Sequence, residues 1–274
     1  MTILVTGATG TVGGHIVELL NGKGVKVKAL TRAINKTNLP AEVQLVSGDL
    51  DHPETLQSHL YKVDGLFLMT QSDQSDTKFL ANQRIVQMAE KAGVKKIVAL
   101  VDYEGNPIEE VIKNSGMEWT ILRPVEFMKN VLNDWAESIQ KEGIIRTAFP
   151  DSLSARIHEA DIAAVAVKSL TEEGHHKQTY DLTGPEALNP RNMLKQISEV
   201  IQKPIELIEM TVDEVKTEWK SKGYDEQFID YFIIEMGKNP PEQVYTVLPT
   251  VERVLGEPAR TFAPWVEENR HHFE

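Results

Sequence analysis

Close to the N-terminus, a glycine-spaced turn separates two segments of different periodicity. It reads Thr6-Gly7-Ala8-Thr9-Gly10-Thr11-Val12-Gly13. Before it stands the short apolar run Ile3-Leu4-Val5, which suits a buried strand. After it, Val12, Ile16, Val17, Leu19 and Leu20 recur at helical spacing. Strand, glycine turn and helix in that order constrain the chain more than any other feature. One glycine makes the tight bend, another admits backbone close to a pyrophosphate, and a third lets the helix pack on the strand. The free N–H groups and positive end of the helix then face an anion. Gly7, Ala8, Thr9, Gly10, Thr11, Val12 and Gly13 are therefore candidate cofactor-binding residues. The alternative is a tight strand-to-helix turn without a ligand.

The same alternation continues. Val25–Leu30, Val43–Val46, Leu66–Met69, Ile97–Val101 and Trp119–Leu122 read as strands. Phe79–Ala92 and Ile108–Asn114 read as helices. Such alternation indicates βαβ units and an α/β, doubly wound parallel sheet of the Rossmann type, buried on both faces. Residues 1–128 are expected to form this NAD(P)-binding part. Residues 129–274 are expected to form a smaller, mixed α/β part on the substrate side. The boundary is soft, and strands of the main sheet are allowed to recur around 155–185. Val131–Lys141 and Ile162–Leu170 read as helices, Thr179–Leu182 as a strand, and Asp161 as a helix N-cap.

Composition narrows the function classes. Most of the net charge of −12 falls after residue 150, and an acidic surface repels a phosphate backbone, so no nucleic-acid partner is expected. No apolar run reaches the ~18 residues of a membrane span, and no basic segment precedes the first strand as a signal peptide requires. A cytoplasmic protein without a membrane partner is the expectation. With no cysteine, disulfides, thiolate chemistry and cysteine-bound metals are excluded. His175-His176 and His271-His272 lack any HExxH-like spacing, so no metal is expected. No GxSxG elbow occurs.

The choice of dinucleotide is set after the second strand. An NAD site places an acidic residue there for the ribose 2′-hydroxyl. Here stands Thr31-Arg32, with no Asp or Glu until Glu42. Arg32, with Lys36 as a second charge, suits a 2′-phosphate. NADP(H) is thus the expected cofactor, with NAD(H) also admissible.

The chain resembles the NmrA-like group of atypical short-chain dehydrogenases/reductases, close to its quinone oxidoreductase-like and azoreductase-like members. The matching pieces span nearly its whole length. They include ILVTGATGTVGGHIV, SGDL at 47–50, KAGVKKIVAL at 91–100, SGMEWTILRPVEFMKN at 115–130 and HEADIAAVAV at 158–167. TYDLTGPEALN at 179–189 and the closing VERVLGEPARTFAPWVEEN complete them. The resemblance implies that Asp49 and Leu50 lie on the adenine side and that Met69, Thr70 and Gln71 run along the cofactor. It implies that Val101 ends a strand near the nicotinamide, that Pro124 borders its pocket, and that Phe127, Met128 and Asn130 face substrate.

The chain departs from that pattern where proton donors are usual. Short-chain dehydrogenases carry Tyr-x-x-x-Lys, and none of the 6 tyrosines has a lysine four residues on. The lysine common eleven residues before the Gly116 position is replaced by Gly105. Tyr103 and His158 are the two candidate acids, each with a plain packing role as its alternative. Two functions follow as expectations. One is an NAD(P)H-dependent oxidoreductase passing hydride to a quinone, azo compound or similar small electron acceptor. The other is a non-catalytic NADP(H)-binding redox sensor acting through a protein partner. A homodimer is compatible with either.

Overall fold

Apolar strand cores alternate with helices from the first residues onward. β1 (Thr2–Val5) leads through the glycine turn into α1 (Thr11–Gly22), β2 (Lys26–Thr31) and β3 (Gln44–Ser47). Then come β4 (Gly65–Met69), α2 (Asp76–Lys91), β5 (Lys96–Leu100), α3 (Ile108–Lys113) and β6 (Glu118–Pro124). A π-helical turn (Leu132–Ala136) precedes α4 (Glu137–Glu142), β7 (Ile144–Thr147), α5 (Glu159–Thr171) and β8 (Gln178–Leu182). α6 (Pro190–Ile201), β9 (Glu206–Glu209) and α7 (Val212–Ser221) follow. Shorter helical pieces close the chain, among them Thr250–Leu255 and Phe262–Glu268. The structure, a computed structural model, describes residues 1–34, 39–70, 76–102 and 105–274.

The chain forms two compact units. The first holds Met1–Pro124, Glu159–Leu182 and Thr250–Glu257; the second holds Val125–His158, Thr183–Pro249 and Pro258–Glu274. The first unit carries a seven-stranded sheet in the order β3-β2-β1-β4-β5-β6-β8. Every pairing is parallel. Because all strands run one way, their C-terminal ends share one edge of the sheet. The order reverses between β1 and β4, which is where open parallel sheets bind ligands. Ile3, Leu4, Val5, Leu66, Phe67 and Leu68 are fully buried, as the two-sided burial of a parallel sheet requires. α1 and α5 pack together on this unit. α5 begins two residues before Asp161. Asp161 is therefore not the N-cap that its place before an apolar run suggests; it sits in the first turn, buried.

The second unit has the parallel pair β7-β9 and a core of its own, built by Met128, Val131, Trp135, Ile139, Ile197 and Trp265 among others. α6 starts by the rules: Asn189 accepts the Asn192 N–H at its side chain and Pro190 takes the first position. The expected helix over 131–141 is divided, its first part being the π-helical turn. No helix among the described residues is long and apolar enough to cross a membrane.

One buried ion cluster ties α3 to the sheet. Glu109 is 2% exposed. Arg123 of β6 donates to its two carboxylate oxygens at 2.7 Å each, and Lys113 at 3.0 Å. Burial alone would raise the Glu109 pKa, but the hydrogen bonds and charges of Arg123 and Lys113 outweigh it and hold the pKa below the ordinary value. The stabilisation is therefore present above the unfolded carboxylate's pKa and lost as pH falls through the lower folded one. Glu109→Gln should cost about 3 kcal/mol at neutral pH. In denaturant titrations at stepwise lower pH, the gap to the wild type should shrink; a constant gap would remove the charge from the explanation.

Candidate functional site

The glycine turn is built by contacts that leave no room for a side chain at Gly13. The Thr6 N–H donates to the Phe67 carbonyl at 3.0 Å, and its hydroxyl accepts the Met69 N–H at 2.8 Å. Thr6 thus joins the end of β1 to the end of β4. Gly7 then takes a left-handed conformation, φ +60°, which glycine adopts without strain. Its carbonyl accepts the Gly10 N–H at 2.8 Å. A Cβ on Gly13 would stand 2.1 Å from the Gly7 oxygen, so α1 can lie this close to the turn only with glycine there. A Cβ on Gly7 would stand 2.8 Å from the Met69 Cε.

The start of α1 is open to an anion. Its N-cap is Gly10, no side chain caps it, and its first turn holds no acidic residue. Three N–H groups of a first turn lack helical acceptors, and here no carboxylate competes with a phosphate for them. Ala8 and Val12 are buried and anchor the turn, whereas Thr9 and Gly10 are exposed. The cradle therefore fits a pyrophosphate on observations of its own geometry.

The neighbouring strand ends share that edge. The hydroxyl of Thr70, just past β4, donates to the Leu100 carbonyl at 2.8 Å. Val101 is buried, its N–H donating to the Leu122 carbonyl at 2.9 Å. Pro124 ends β6. After β3, the Asp49 N–H donates to the Thr55 hydroxyl at 3.0 Å, and the Asp49 carboxylate accepts the Asp51 N–H at 3.1 Å. The Leu50 side chain belongs to the core of the first unit. Arg32 is exposed past the end of β2 and has no acidic partner among the described residues. Lys36, Gln71 and Tyr103 lie outside the described residues.

The remaining candidates belong to the second unit. Phe127 bridges to Ile157, and the Met128 N–H donates to the Ile157 carbonyl at 2.9 Å. The Met128 side chain lies inside that unit's core, while Phe127 and Asn130 are half-buried. His158 is buried with Nε2 3.3 Å from the Glu268 carboxylate. Nearby in this unit, Arg156 pairs with Glu126 at 2.9 Å and lies 3.9 Å from Asp134. Asp134 keeps 38% of its side chain exposed, yet the protein crowded around it pushes its pKa up to about 6 against the pull of Arg156. Solvent screening keeps the effect on stability small.

Two features have roles that the local sequence does not mark. Thr6 looks like any strand-ending threonine, and only its position immediately before the glycine turn marks it. The His175-His176 pair serves the first unit: His175 Nδ1 is 2.8 Å from the Tyr180 hydroxyl, and His176 Nδ1 accepts the Trp119 N–H at 3.2 Å. Burial, ahead of nearby lysines, lowers the His175 pKa.

Comparison with known proteins follows the same lines. Residues 1–99 match the model of the NmrA-like family. The chain is 33% identical to an NAD(P)H azoreductase of Xenophilus azovorans over 97% of its own length and 96% of that protein. Among solved structures, it shares its fold with a triphenylmethane reductase of Citrobacter sp. complexed with NADP(H). There the TM-score is 0.81 and the identity 22%, over 98% of this chain and 99% of that one. It shares it also with an NADPH-dependent quinone oxidoreductase of Escherichia coli complexed with NADPH. That comparison gives a TM-score of 0.80 and 23% identity, over 98% of this chain and all of the other.

Gly13 and Gly14 are adjacent but not equivalent. Added at Gly14, a Cβ meets nothing closer than 3.9 Å. Gly14→Ala should keep dinucleotide affinity and gain about 0.5–1 kcal/mol of stability within the helix. Gly13→Ala should lose at least about tenfold in affinity, since helix and turn must separate. Fluorescence titration with NADPH and thermal melting of both variants test this; equal behaviour would refute the cradle geometry.

Proposed function

The chain belongs to the NmrA-like family, and on that premise we propose that its first unit holds NADPH for hydride transfer to a quinone or azo compound. The protein is an NAD(P)H-dependent oxidoreductase. The observation that carries the reading is the glycine cradle at the reversal of strand order, with Arg32, which has no acidic partner among the described residues, just past the end of β2. Turn and helix start bind the pyrophosphate. Arg32 pairs with the 2′-phosphate, joined by Lys36, while Asp49 flanks the adenine side and Gln71 the cofactor's further length. Met69, Thr70, Val101 and Pro124 close the strand-end edge along which the cofactor lies. Phe127 and Asn130 are read as substrate-facing.

Bound nicotinamide supplies the hydride, and the chain's own contribution is binding and orientation. An acceptor of this class takes the hydride and one proton, and water provides the proton. No Tyr-x-x-x-Lys pair is needed for that step. The sensor reading is not favoured, since a relative aligned along nearly the full chain is an NAD(P)H azoreductase.

Purified protein should consume NADPH only when a quinone or azo dye is present, followed by loss of nicotinamide absorbance. Arg32→Ala should weaken NADPH by about ten- to hundredfold, the worth of a charged hydrogen-bonded pair, and leave NADH within about twofold. Equal loss for both cofactors would sink the assignment of Arg32. Tight NADPH binding without turnover across the acceptors would return the sensor.

A further inference from the structure

We propose that Thr31 is a positioning residue: its hydroxyl fixes the turn that aims Arg32, and so sets the preference for a 2′-phosphate. The inference rests on the reading of Arg32 given above. Thr31 is the last residue of β2 and is 7% exposed. Its carbonyl accepts the Gly48 N–H at 3.2 Å, in register with β3. Its hydroxyl accepts the Ala33 N–H at 3.1 Å. The backbone on both sides of Arg32 is thereby held, by the sheet before it and by a side-chain turn after it.

The hydroxyl has no use in the sheet itself. The other buried positions of β2, Val27, Ala29 and Leu30, are all apolar. A valine at position 31 would have the same shape and strand preference, and would avoid burying a polar group. What threonine adds is the acceptor for Ala33. β-Branching also restricts its χ1, so the oxygen stays where the turn needs it.

Arg32 needs such a hold. Its side chain is exposed, and no Asp or Glu follows it in sequence until Glu42. An exposed arginine side chain has many rotamers, and a ligand must select one of them. A fixed base shortens the search for a two-pronged contact with phosphate oxygens.

Calorimetric titration with adenosine 2′,5′-bisphosphate and with AMP isolates the 2′-phosphate from the rest of the cofactor. The wild type should bind the bisphosphate more tightly. Thr31→Val should weaken the bisphosphate about fivefold, the worth of one hydrogen bond, and leave AMP unchanged. Thr31→Ser should restore the bisphosphate to within about twofold. Thermal melting confirms that each variant is folded. If Thr31→Val binds the bisphosphate as the wild type does, or loses both ligands equally, Thr31 does not position Arg32. If the wild type shows no preference, or Arg32→Ala keeps it, the Arg32 reading itself falls and takes this one with it.

Discussion

The closeness of α1 to the end of β1 governs the site. Only a hydrogen atom fits between Gly13 and the Gly7 carbonyl, and that contact brings the open helix start onto the sheet edge where the strand order reverses. Thr6 secures the same corner from below by bonding to both Phe67 and Met69. Everything assigned to the cofactor then follows from parallel strands. Arg32, Asp49, Thr70, Val101 and Pro124 share an edge because the strands that precede them point the same way.

Much of this was legible in the chain itself. The period changes from apolar runs to helical spacing at the glycine turn, and the later strands repeat the signal with nearly continuous apolar cores. What was not legible depends on distance. Glu109 reads as a surface residue on a short polar helix, yet Arg123, fourteen residues on, draws it into a buried pair. His158 has nothing in its local sequence that names its partner, and the fold sets its ring beside Glu268, 110 residues away. Asp161 has the right neighbours for an N-cap, but α5 begins earlier. The π-helical turn at Leu132–Ala136 carries no local mark, since its apolar spacing suits an ordinary helix equally well.

The site residues divide by the same logic. Backbone-dependent parts, the turn and the strand ends, could be placed from spacing, because glycine and strand termini have local signatures. Parts that depend on which way a side chain points could not. Leu50 and Met128 turn inward to their respective cores, while Arg32 stays outside, and all three stand just beyond or between short structural elements. Sequence position fixes the neighbourhood; packing decides the direction.

The seventh strand of the main sheet has a consequence for how the molecule is made. β8 and α5 come from residues after 158, and the helix Thr250–Leu255 also belongs to the first unit. During synthesis, six strands have been made once residue 124 has been added, yet β6 remains an unpaired edge until β8 arrives. An exposed edge of buried-type, apolar sequence is prone to pair wrongly. The ribosome must therefore deliver the whole intervening second-unit segment before the nucleotide-binding sheet is sealed, and neither half of the gene encodes a finished unit.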